Sequence, residues 1–321
     1  MEYTTLGRTG LRVSVAGLGC GGFSRLGLST GKTAAEAEAL VRLGIDCGIN
    51  LIDTAAQYGT EGIVGQAIAE IPRDSVVVAT KFMPRRGEVA QTPEQLVEGL
   101  EASLRLLRTD YVDIFQLHGV APGQYDHAMS LVPAMLKARE QGKIRFLGIT
   151  ESGAGDQSHG ILQQASVDGV WDVVMVAFNM LHRTASDGLF PRTLANGVGT
   201  LVMHAVRSIF ARPDFLAAAI RDLAATGQVP AGLVDNEAPL DFLLHPGGAA
   251  SLTEAAYRFV RHSQGVDVVL FGTGSAEHLR ANVAALSQPP LPPTDLARLF
   301  ELFGKVSGLG LESPSAAPAQ P

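Results

Sequence analysis

The chain has 321 residues, of which 46% are hydrophobic and 18% are charged, so a large buried core is expected rather than a disordered chain. The formal net charge is −7 and no basic run is present, which argues against a nucleic-acid partner. Residues 1–10 lack signal character, no apolar stretch is long enough for a membrane helix, and there are only two cysteines, so we expect a cytoplasmic protein without a membrane span or a disulfide framework.

The beginning of the chain predicts a β-hairpin, because Gly7 and Gly10 lie between two short apolar pieces within residues 3–15. Short apolar runs then alternate with segments of helical periodicity, which is typical of βα units. The predicted strands are Val15–Gly19, Asn50–Asp53, Val76–Lys81, Tyr111–His118, Ile144–Thr150, Val173–Phe178, Thr200–His204 and Val266–Gly272. The predicted helices are Thr33–Cys47, Glu61–Ile71, Pro93–Leu107, Tyr125–Gln141, Gln157–Asp168, Ser186–Asn196, a long stretch within Pro213–Gln264, and Ser275–Leu286.

Eight strands with intervening helices predict an α/β fold, either a closed (β/α)8 TIM barrel or a doubly wound open sheet. Several strands are apolar almost throughout, as parallel strands buried on both faces are. The first strand leads into Gly19-Cys20-Gly21-Gly22, which lacks the G-x-G-x-x-G pattern of a dinucleotide-binding open sheet. We therefore favour the barrel, as a single domain over residues 1–312 with the N-terminal hairpin in front of it.

Two segments fall outside the regular alternation. The connection over residues 207–236 is long, carries a predicted helix at Asp214–Ala225, and has the length of a lid or substrate loop. Residues 313–321 are rich in Ser, Pro and Ala, and we expect a disordered tail there.

Four ionisable residues occur at or just after the ends of successive predicted strands. Asp53 ends the second strand and Tyr58 follows it, while Lys81 ends the third strand and His118 the fourth. The carboxyl ends of barrel strands converge on one face, where barrel enzymes build their active sites, so the fold would bring these side chains together.

The four side chains suit proton exchange with a carbonyl oxygen. Lys81 would lower the pKa of Tyr58, Asp53 would orient Lys81, and His118 would contact the substrate oxygen or relay the proton. Taken singly, each residue could have a structural role instead: a helix-capping Asp, a packing Tyr, a solvated Lys or a hydrogen-bonded His. The interpretation rests on their occurring together.

These motifs resemble those of the aldo-keto reductases. Residues 51–59, Leu-Ile-Asp-Thr-Ala-Ala-Gln-Tyr-Gly, are similar to the family's Ile-Asp-Thr-Ala-x-x-Tyr-Gly signature. Ala79-Thr80-Lys81 and Gln116-Leu117-His118 resemble its strand-three and strand-four motifs, and residues 6–14 resemble its opening. The resemblance extends over residues 1–287. It implies a barrel that binds NADP(H) or NAD(H), with Asp53, Tyr58, Lys81 and His118 as the catalytic tetrad.

The segment after the eighth strand is the expected cofactor site. Its glycines allow close approach of a ligand, and Ser275 can cap a helix whose N-terminus attracts anions, although a plain capped turn would have the same sequence. The resemblance implies adenosine-phosphate binding here. Further positions are expected to lie nearer the nicotinamide. Together, the predicted cofactor residues are Gly21, Thr150, Glu151, Met203, His204, Arg207, Gly272, Thr273, Gly274, Ser275, His278 and Asn282.

The sequence departs from the family pattern around both ends of the cofactor. Gly272 and His278 stand where many NADPH-preferring members have Lys and Arg, which puts NADPH preference in doubt and makes NAD use plausible. Thr150-Glu151 replace the common Ser-Asn, and Val176 aligns with a common Gln. Met203-His204 lie where an aromatic residue often stacks on the nicotinamide, and Met203 could cover the ring by dispersion.

The sequence thus predicts an NAD(P)-dependent oxidoreductase that interconverts a small carbonyl compound (an aldehyde, ketone or sugar) and an alcohol, with Tyr58 as general acid and base. The resemblance favours a monomer or homodimer, and no metal-ligand spacing is present among the histidines. Two alternatives remain open on the same barrel: a non-redox lyase or isomerase, and a cofactor-sensing binding protein.

Overall fold

The computed structural model describes residues 1–153, 155–236 and 238–306, and the predicted tail at residues 313–321 lies outside them. The strands are β1 Tyr3–Thr5, β2 Arg12–Ser14, β3 Ala16–Gly19, β4 Leu51–Asp53, β5 Val77–Phe82, β6 Arg85–Arg86, β7 Val89–Ala90, β8 Val112–Val120, β9 Ile144–Glu151, β10 Val173–Ala177, β11 Gly199–Met203 and β12 Val268–Phe271. The helices are α1 Ala34–Asp46, α2 Glu61–Ile68, α3 Pro93–Leu107, α4 Tyr125–Glu140, α5 Gly160–Ala165, α6 Ala185–Gly188, α7 Phe190–Asn196, α8 Arg207–Ala211, α9 Pro213–Ala225, α10 Leu252–Arg261, α11 Ala276–Leu286 and α12 Pro293–Phe303.

The eight predicted strands form a closed barrel in the order β3-β4-β5-β8-β9-β10-β11-β12, and each pairs in parallel with its neighbours. This confirms the (β/α)8 prediction. Parallel strands need long crossovers, and the helices of the βα units supply them on the outside of the barrel. Within the described ranges, no helix combines the length and apolar character needed to cross a bilayer.

Helix starts follow the capping chemistry of the sequence. Thr33 and Thr92 each accept a hydrogen bond from the backbone N–H three residues on, and the Glu36 and Gln95 side chains bond back to the cap residue's N–H. These capping boxes satisfy amide groups that would otherwise lack partners at the start of α1 and α3. The predicted boundaries of both helices agree with the structure to within one residue.

Among the elements that were not predicted from the sequence are α8, a small hairpin and a C-terminal helix. A small hairpin pairs β6 with β7 after the third barrel strand. Helix α12 follows the barrel, and its buried residues Leu299 and Phe303 pack into the outer core. Its apolar residues recur at helical spacing after Pro293, so the signal for α12 was present in the sequence.

Alternation along the barrel strands divides the buried residues into two clusters. An inner cluster fills the barrel with residues such as Leu51, Val77 and Ile114, and a larger outer cluster lies between strands and helices. The N-terminal hairpin closes the barrel at the amino ends of its strands, because Leu6 and Leu11 belong to the inner cluster. Strand parity therefore decides which side chains can reach the interior at the opposite mouth.

The N-terminal hairpin that closes the barrel contains Gly7 and Gly10, which both have positive φ. Their different surroundings predict different losses of stability on substitution. A Cβ at Gly7 would lie 2.6 Å from Gly197 O, whereas a Cβ at Gly10 would meet nothing within 4 Å. We expect Gly10→Ala to lower the free energy of unfolding by about 1–2 kcal/mol through backbone strain alone. Gly7→Ala should cost roughly a further 1–3 kcal/mol through overpacking. Urea denaturation of both variants measures the difference. Equal losses of stability would show that the N-terminal hairpin can shift to accommodate the extra methyl group without further cost.

Candidate active site

The four predicted catalytic residues meet at the carboxyl mouth of the barrel. Asp53 ends β4 and shares its parity with the interior residue Leu51, and Lys81 on β5 shares its parity with Val77. On β8, His118 lies on the same face as the interior residue Ile114. Tyr58 ends a short 3-10 segment, Ala56–Tyr58, that turns the chain back over the mouth.

A buried ion pair forms the base of the site. Lys81 is 1% exposed, and its Nζ donates to Asp53 Oδ2 at 2.7 Å and to the carbonyl oxygen of Thr54 at 2.8 Å. Burial disfavours the ammonium, but Asp53 and Tyr58 together hold the pKa of Lys81 above its ordinary value. Burial also raises the pKa of Asp53, against the opposing attraction of Lys81. Gln116 Nε2 donates to the other carboxylate oxygen of Asp53 at 3.3 Å and holds its orientation.

Tyr58 lies above this pair. The Lys81 ammonium is 5.0 Å from the centroid of the Tyr58 ring, and the Tyr58 hydroxyl is 3.3 Å from His118 Nε2. Burial raises the pKa of Tyr58, although Lys81 acts in the opposite direction. Lys81 thus acts on the pKa of Tyr58 in the expected direction, but desolvation of the phenolate outweighs the attraction of the cation and the net shift is upward. At neutral pH the side chain is a protonated phenol.

His118 is neutral at neutral pH. Burial and the nearby charge of Lys81 lower its pKa to about 3. Its Nδ1 lies 3.2 Å from Gln57 Oε1, so the imidazole is held between an amide and the phenol of Tyr58. The site thus contains one cation, Lys81, paired with Asp53, and two neutral groups that can exchange a proton.

Sequence reasoning missed three residues that contact this group: Thr54, Gln57 and Gln116. A signal existed for Gln116, because it precedes His118 by two positions and so lies on the same face of β8. Gln57 belongs to a turn without periodicity, so only its place beside Tyr58 could have drawn attention to it.

The predicted adenosine-phosphate segment lies between β12 and α11, beside the carboxyl end of β3. Ser275 caps α11 by accepting from the His278 backbone N–H, and Thr273 Oγ1 accepts from the Ser275 N–H. A Cβ at Gly274 would lie 2.6 Å from Gly27 Cα, so this segment and the loop after β3 are in close contact. Gly272 is exposed at the rim, and His278 and Asn282 follow on α11.

Gly21 lies beside the tetrad rather than at α11. A Cβ there would be 2.5 Å from Tyr58 Cζ, so the close approach of the β3 loop to the phenol requires a glycine. Thr150 at the end of β9 is buried, and its hydroxyl accepts from the Gly119 N–H at 2.7 Å. Met203 packs against the inner cluster from β11, on the far side of the mouth.

The structure corrects the interpretation of Glu151 and Val176. Both have the parity that points away from the barrel interior, and Val176 belongs to the outer cluster while Met175 belongs to the inner one. The buried carboxylate of Glu151 contacts His159 Nδ1 at 2.8 Å and accepts from the Ala177 N–H at 2.8 Å. Glu151 is thus engaged behind the strands, where it is not placed to contact a ligand in the mouth.

His204 and Arg207 follow β11 in the left-handed backbone region, with φ of 67° and 51°. Burial lowers the pKa of His204 to about 3, and the charge of Arg207 acts in the same direction. Asn179 Nδ2 donates to the His204 carbonyl oxygen at 3.2 Å, which ties the ends of β10 and β11 together. The geometry brings both residues to the rim, and their contact with a cofactor stays a prediction.

Comparison with known proteins places these features in a family context. The model of the aldo/keto reductase family matches residues 17–303. An L-galactose dehydrogenase from Arabidopsis thaliana is 36% identical over 47% of this chain and 48% of its own length, and an NADH-specific methylglyoxal reductase from Escherichia coli is 33% identical over 47% of this chain and 51% of its own length. The aldo-keto reductase YhdN from Bacillus subtilis is 32% identical over 63% of this chain and 61% of its own length.

The matches to these relatives thus extend over about half to three-fifths of each relative's length. Among solved structures, the holo form of an aldo-keto reductase from Bacillus halodurans superposes with a TM-score of 0.70 at 24% identity, covering 94% of this chain and 96% of its own. That likeness supports the fold.

The lowered pKa of the buried His118 predicts how the stability of the protein depends on pH. The pKa of His118 is lowered to about 3 from an ordinary value of 6.5, so between these values the unfolded chain binds more protons than the folded one. Stability should therefore fall as the pH is lowered from about 6.5 towards 4, by on the order of 1.4 kcal/mol per pH unit for this histidine. His118→Asn should flatten the pH dependence of the urea midpoint in this window, whereas His262→Asn, at an exposed position, should leave it unchanged. An unaltered slope in His118→Asn would mean that folding does not lower the pKa of His118.

Proposed function

Because the chain belongs to the aldo/keto reductase family, we propose that it is an NAD(P)-dependent oxidoreductase that interconverts a carbonyl and an alcohol. The observation that carries the proposal is a protonated Tyr58 at the barrel mouth, between the Lys81–Asp53 pair and a neutral His118. The names of two relatives, an L-galactose dehydrogenase and a methylglyoxal reductase, agree with this reaction type. Aldehydes, ketones and sugars are all substrates of this chemical class.

The residues around the mouth fit a nicotinamide cofactor. At one side, α11 presents a capped N-terminus preceded by Gly272 and Gly274, and free backbone N–H groups there attract phosphate. At the other side, Met203 offers an apolar, polarisable surface for a flat ring. Gly21 keeps the approach to Tyr58 free of side chains. The nicotinamide cofactor, when bound, supplies or accepts the hydride, which the protein's own side chains cannot provide.

The side chains of the tetrad supply the proton. In carbonyl reduction, Tyr58 transfers its hydroxyl proton to the carbonyl oxygen, and in alcohol oxidation its phenolate takes the proton back. Lys81 stabilises the phenolate that remains after transfer, because its charge favours the ionised phenol. Asp53 keeps the ammonium charged and oriented, and Gln116 holds Asp53. This general acid–base contribution typically amounts to 10²–10⁴-fold in rate.

We further propose that NAD(H) is accepted at least as readily as NADP(H). A 2′-phosphate is bound best by charge-assisted hydrogen bonds, and positions 272 and 278 supply Gly and His. Arg280 Nη1 lies 3.5 Å from the Ala276 carbonyl oxygen, so this guanidinium folds along its own helix. Glu277 adds a negative charge in the first turn of α11.

The first test of the function is calorimetric titration with NAD⁺ and NADP⁺ separately, together with assays of a carbonyl panel. Tyr58→Phe should retain cofactor binding and lose at least about 100-fold in kcat, because only the proton donor is removed. Tyr3→Phe, at a hydroxyl that bonds Gly48 O far from the site, is the matched control. If neither cofactor binds, hydride transfer is excluded and proton chemistry of a lyase or isomerase takes its place.

A second test addresses the cofactor preference. His278→Arg adds a cation at an exposed position of α11 without entering the barrel. We expect it to tighten binding of NADP⁺ and of the probe 2′,5′-ADP by about tenfold, the effect of one charge-assisted hydrogen bond, and to leave NAD⁺ affinity unchanged. Ala284→Arg, exposed two turns further along the same helix, controls for net charge. Equal tightening in both variants would mean that position 278 does not face the adenosine phosphate.

A further inference from the structure

Behind the end of β9, a carboxyl group and an imidazole are buried together away from solvent. Glu151 and His159 are at most 2% exposed, and Glu151 Oε2 lies 2.8 Å from His159 Nδ1. The other oxygen, Glu151 Oε1, accepts a hydrogen bond from the Ala177 N–H at the end of β10. Because an uncompensated carboxylate is strongly unfavourable in such a place, its contact with the imidazole must supply a proton or a positive charge.

The partners of His159 determine where its ring hydrogens lie. Thr184 has one hydroxyl hydrogen, which it donates at 2.7 Å to the carbonyl oxygen of Gln157, a group that can only accept. His159 Nε2 lies 2.9 Å from the same hydroxyl oxygen, so Nε2 must carry the hydrogen of this contact. A neutral imidazole with its hydrogen on Nε2 has a lone pair on Nδ1, and that lone pair would face the Glu151 carboxylate.

Two lone pairs that face each other at 2.8 Å repel, and one further hydrogen between them removes the conflict. The hydrogen lies either on Glu151, as a carboxylic acid that donates to Nδ1, or on Nδ1, as an imidazolium beside the carboxylate. In both cases the pair holds one proton more than an ordinary glutamate and histidine do at neutral pH, and its net charge is zero. Burial raises the pKa of Glu151 and so acts towards retaining this proton.

Other ionisable groups face the pair from the neighbouring elements. The His182 ring lies 5.1 Å from that of His159, and burial lowers the pKa of His182 to about 4, so this second imidazole is neutral at neutral pH. Asp156 accepts from the first backbone N–H groups of α5, and its charge opposes ionisation of Glu151. In the part of the chain that the structure describes, no lysine or arginine pairs with Glu151.

We propose that Glu151 and His159 share one buried proton at neutral pH and, in that state, are positioning residues that hold the ends of β9 and β10 at the rim of the cofactor site. This inference rests on the proposed function. When the proton leaves to solvent at higher pH, the carboxylate and the Nδ1 lone pair repel each other. The contact that joins the two strand ends is then lost, and the affinity for the cofactor falls.

Both strand ends carry residues of the predicted cofactor site. Glu151 directly follows Thr150, which faces the barrel interior and accepts a hydrogen bond from β8. A Cβ at Gly153 would lie 3.4 Å from Ala177 Cβ and 3.5 Å from His204 Cε1, so the chain after β9 packs against both. A shift of the carboxyl group behind β9 would therefore displace groups at the mouth.

Glu151→Gln tests the shared proton, because its NH₂ group can donate to Nδ1 and its oxygen can accept from Ala177, but it cannot release a proton. Above about pH 6.5 the unfolded chain lacks the proton that the folded pair holds, so the pair's contribution to stability falls as the pH rises. We expect the unfolding equilibrium constant of the unmodified protein, divided by that of Glu151→Gln, to rise about tenfold between pH 7 and 8. Urea denaturation at both pH values measures this ratio. Glu98→Gln, the same change at an exposed position of α3, should give a ratio that is independent of pH.

The positioning role is measured by NMR and by cofactor titration between pH 7 and 10. The ¹H–¹⁵N resonance of Ala177 should shift in the unmodified protein as the pair loses its proton, and should stay in place in Glu151→Gln. Over the same range, the Kd for NAD⁺ or NADP⁺ should rise at least about tenfold more in the unmodified protein than in Glu151→Gln, as expected for the loss of one strong hydrogen bond. A merely structural contact without a shared proton would give both proteins the same pH dependence.

A stability ratio that does not change with pH, or an Ala177 resonance that responds equally in both proteins, would overturn the inference. Equal pH dependence of Kd in the two proteins would remove the role at the cofactor site. The first two measurements use the resting protein and need neither cofactor nor turnover. If neither NAD⁺ nor NADP⁺ binds, the proposed function fails while the shared proton is still determined, so the two failures are distinguishable.

Discussion

The ammonium of Lys81 is the constraint on which the carboxyl mouth of the barrel depends. A charged group at 1% exposure is strongly unfavourable unless acceptors surround it. The acceptors are Asp53 Oδ2 and the Thr54 carbonyl oxygen, so the chain at the end of β4 must turn its backbone towards the interior. That turn leads directly into the segment that holds Tyr58 over the ammonium. The ion pair thus fixes the position of the Tyr58 ring as well as its electrostatic environment.

Burial acts differently on the neutral groups of the site. It raises the pKa of Tyr58 and lowers that of His118, so both stay uncharged beside a permanent cation. In the proposed reaction, a phenol that stays protonated in the resting protein gives its proton to the carbonyl, and the Lys81 charge stabilises the phenolate as it forms. An interaction that strengthens in the transition state contributes to rate rather than to substrate binding.

Much of the fold was predictable because strand parity and order are properties of the sequence. The alternation of apolar runs gave the eight barrel strands, and their ends gave the meeting point of Asp53, Lys81 and His118. The direction of the Tyr58 pKa was not predictable, because it depends on how completely the phenol is desolvated. The contact between Gln57 and His118 lies in a turn without periodicity, and no pattern specifies it. Residues 313–321 lie outside the described residues, so the predicted tail stays a prediction.

The position of Glu151, where the sequence departs from the family pattern, is explained by the alternation of side chains along β9. Thr150 faces the interior, so the next residue must face the helices, where Glu151 meets His159. His159 has a φ of 59°, a conformation that is strained for a residue with a Cβ, and it is fully buried. Its Nδ1 contacts Glu151 and its Nε2 contacts Thr184 Oγ1 at 2.9 Å, which offsets the strain. Since Glu151 also accepts from the backbone of β10, this cluster holds the ends of β9 and β10 and residue 184 together. Glu151 and its partners therefore shape the rim from behind the strands, whereas Thr150 and Met203 face the barrel interior.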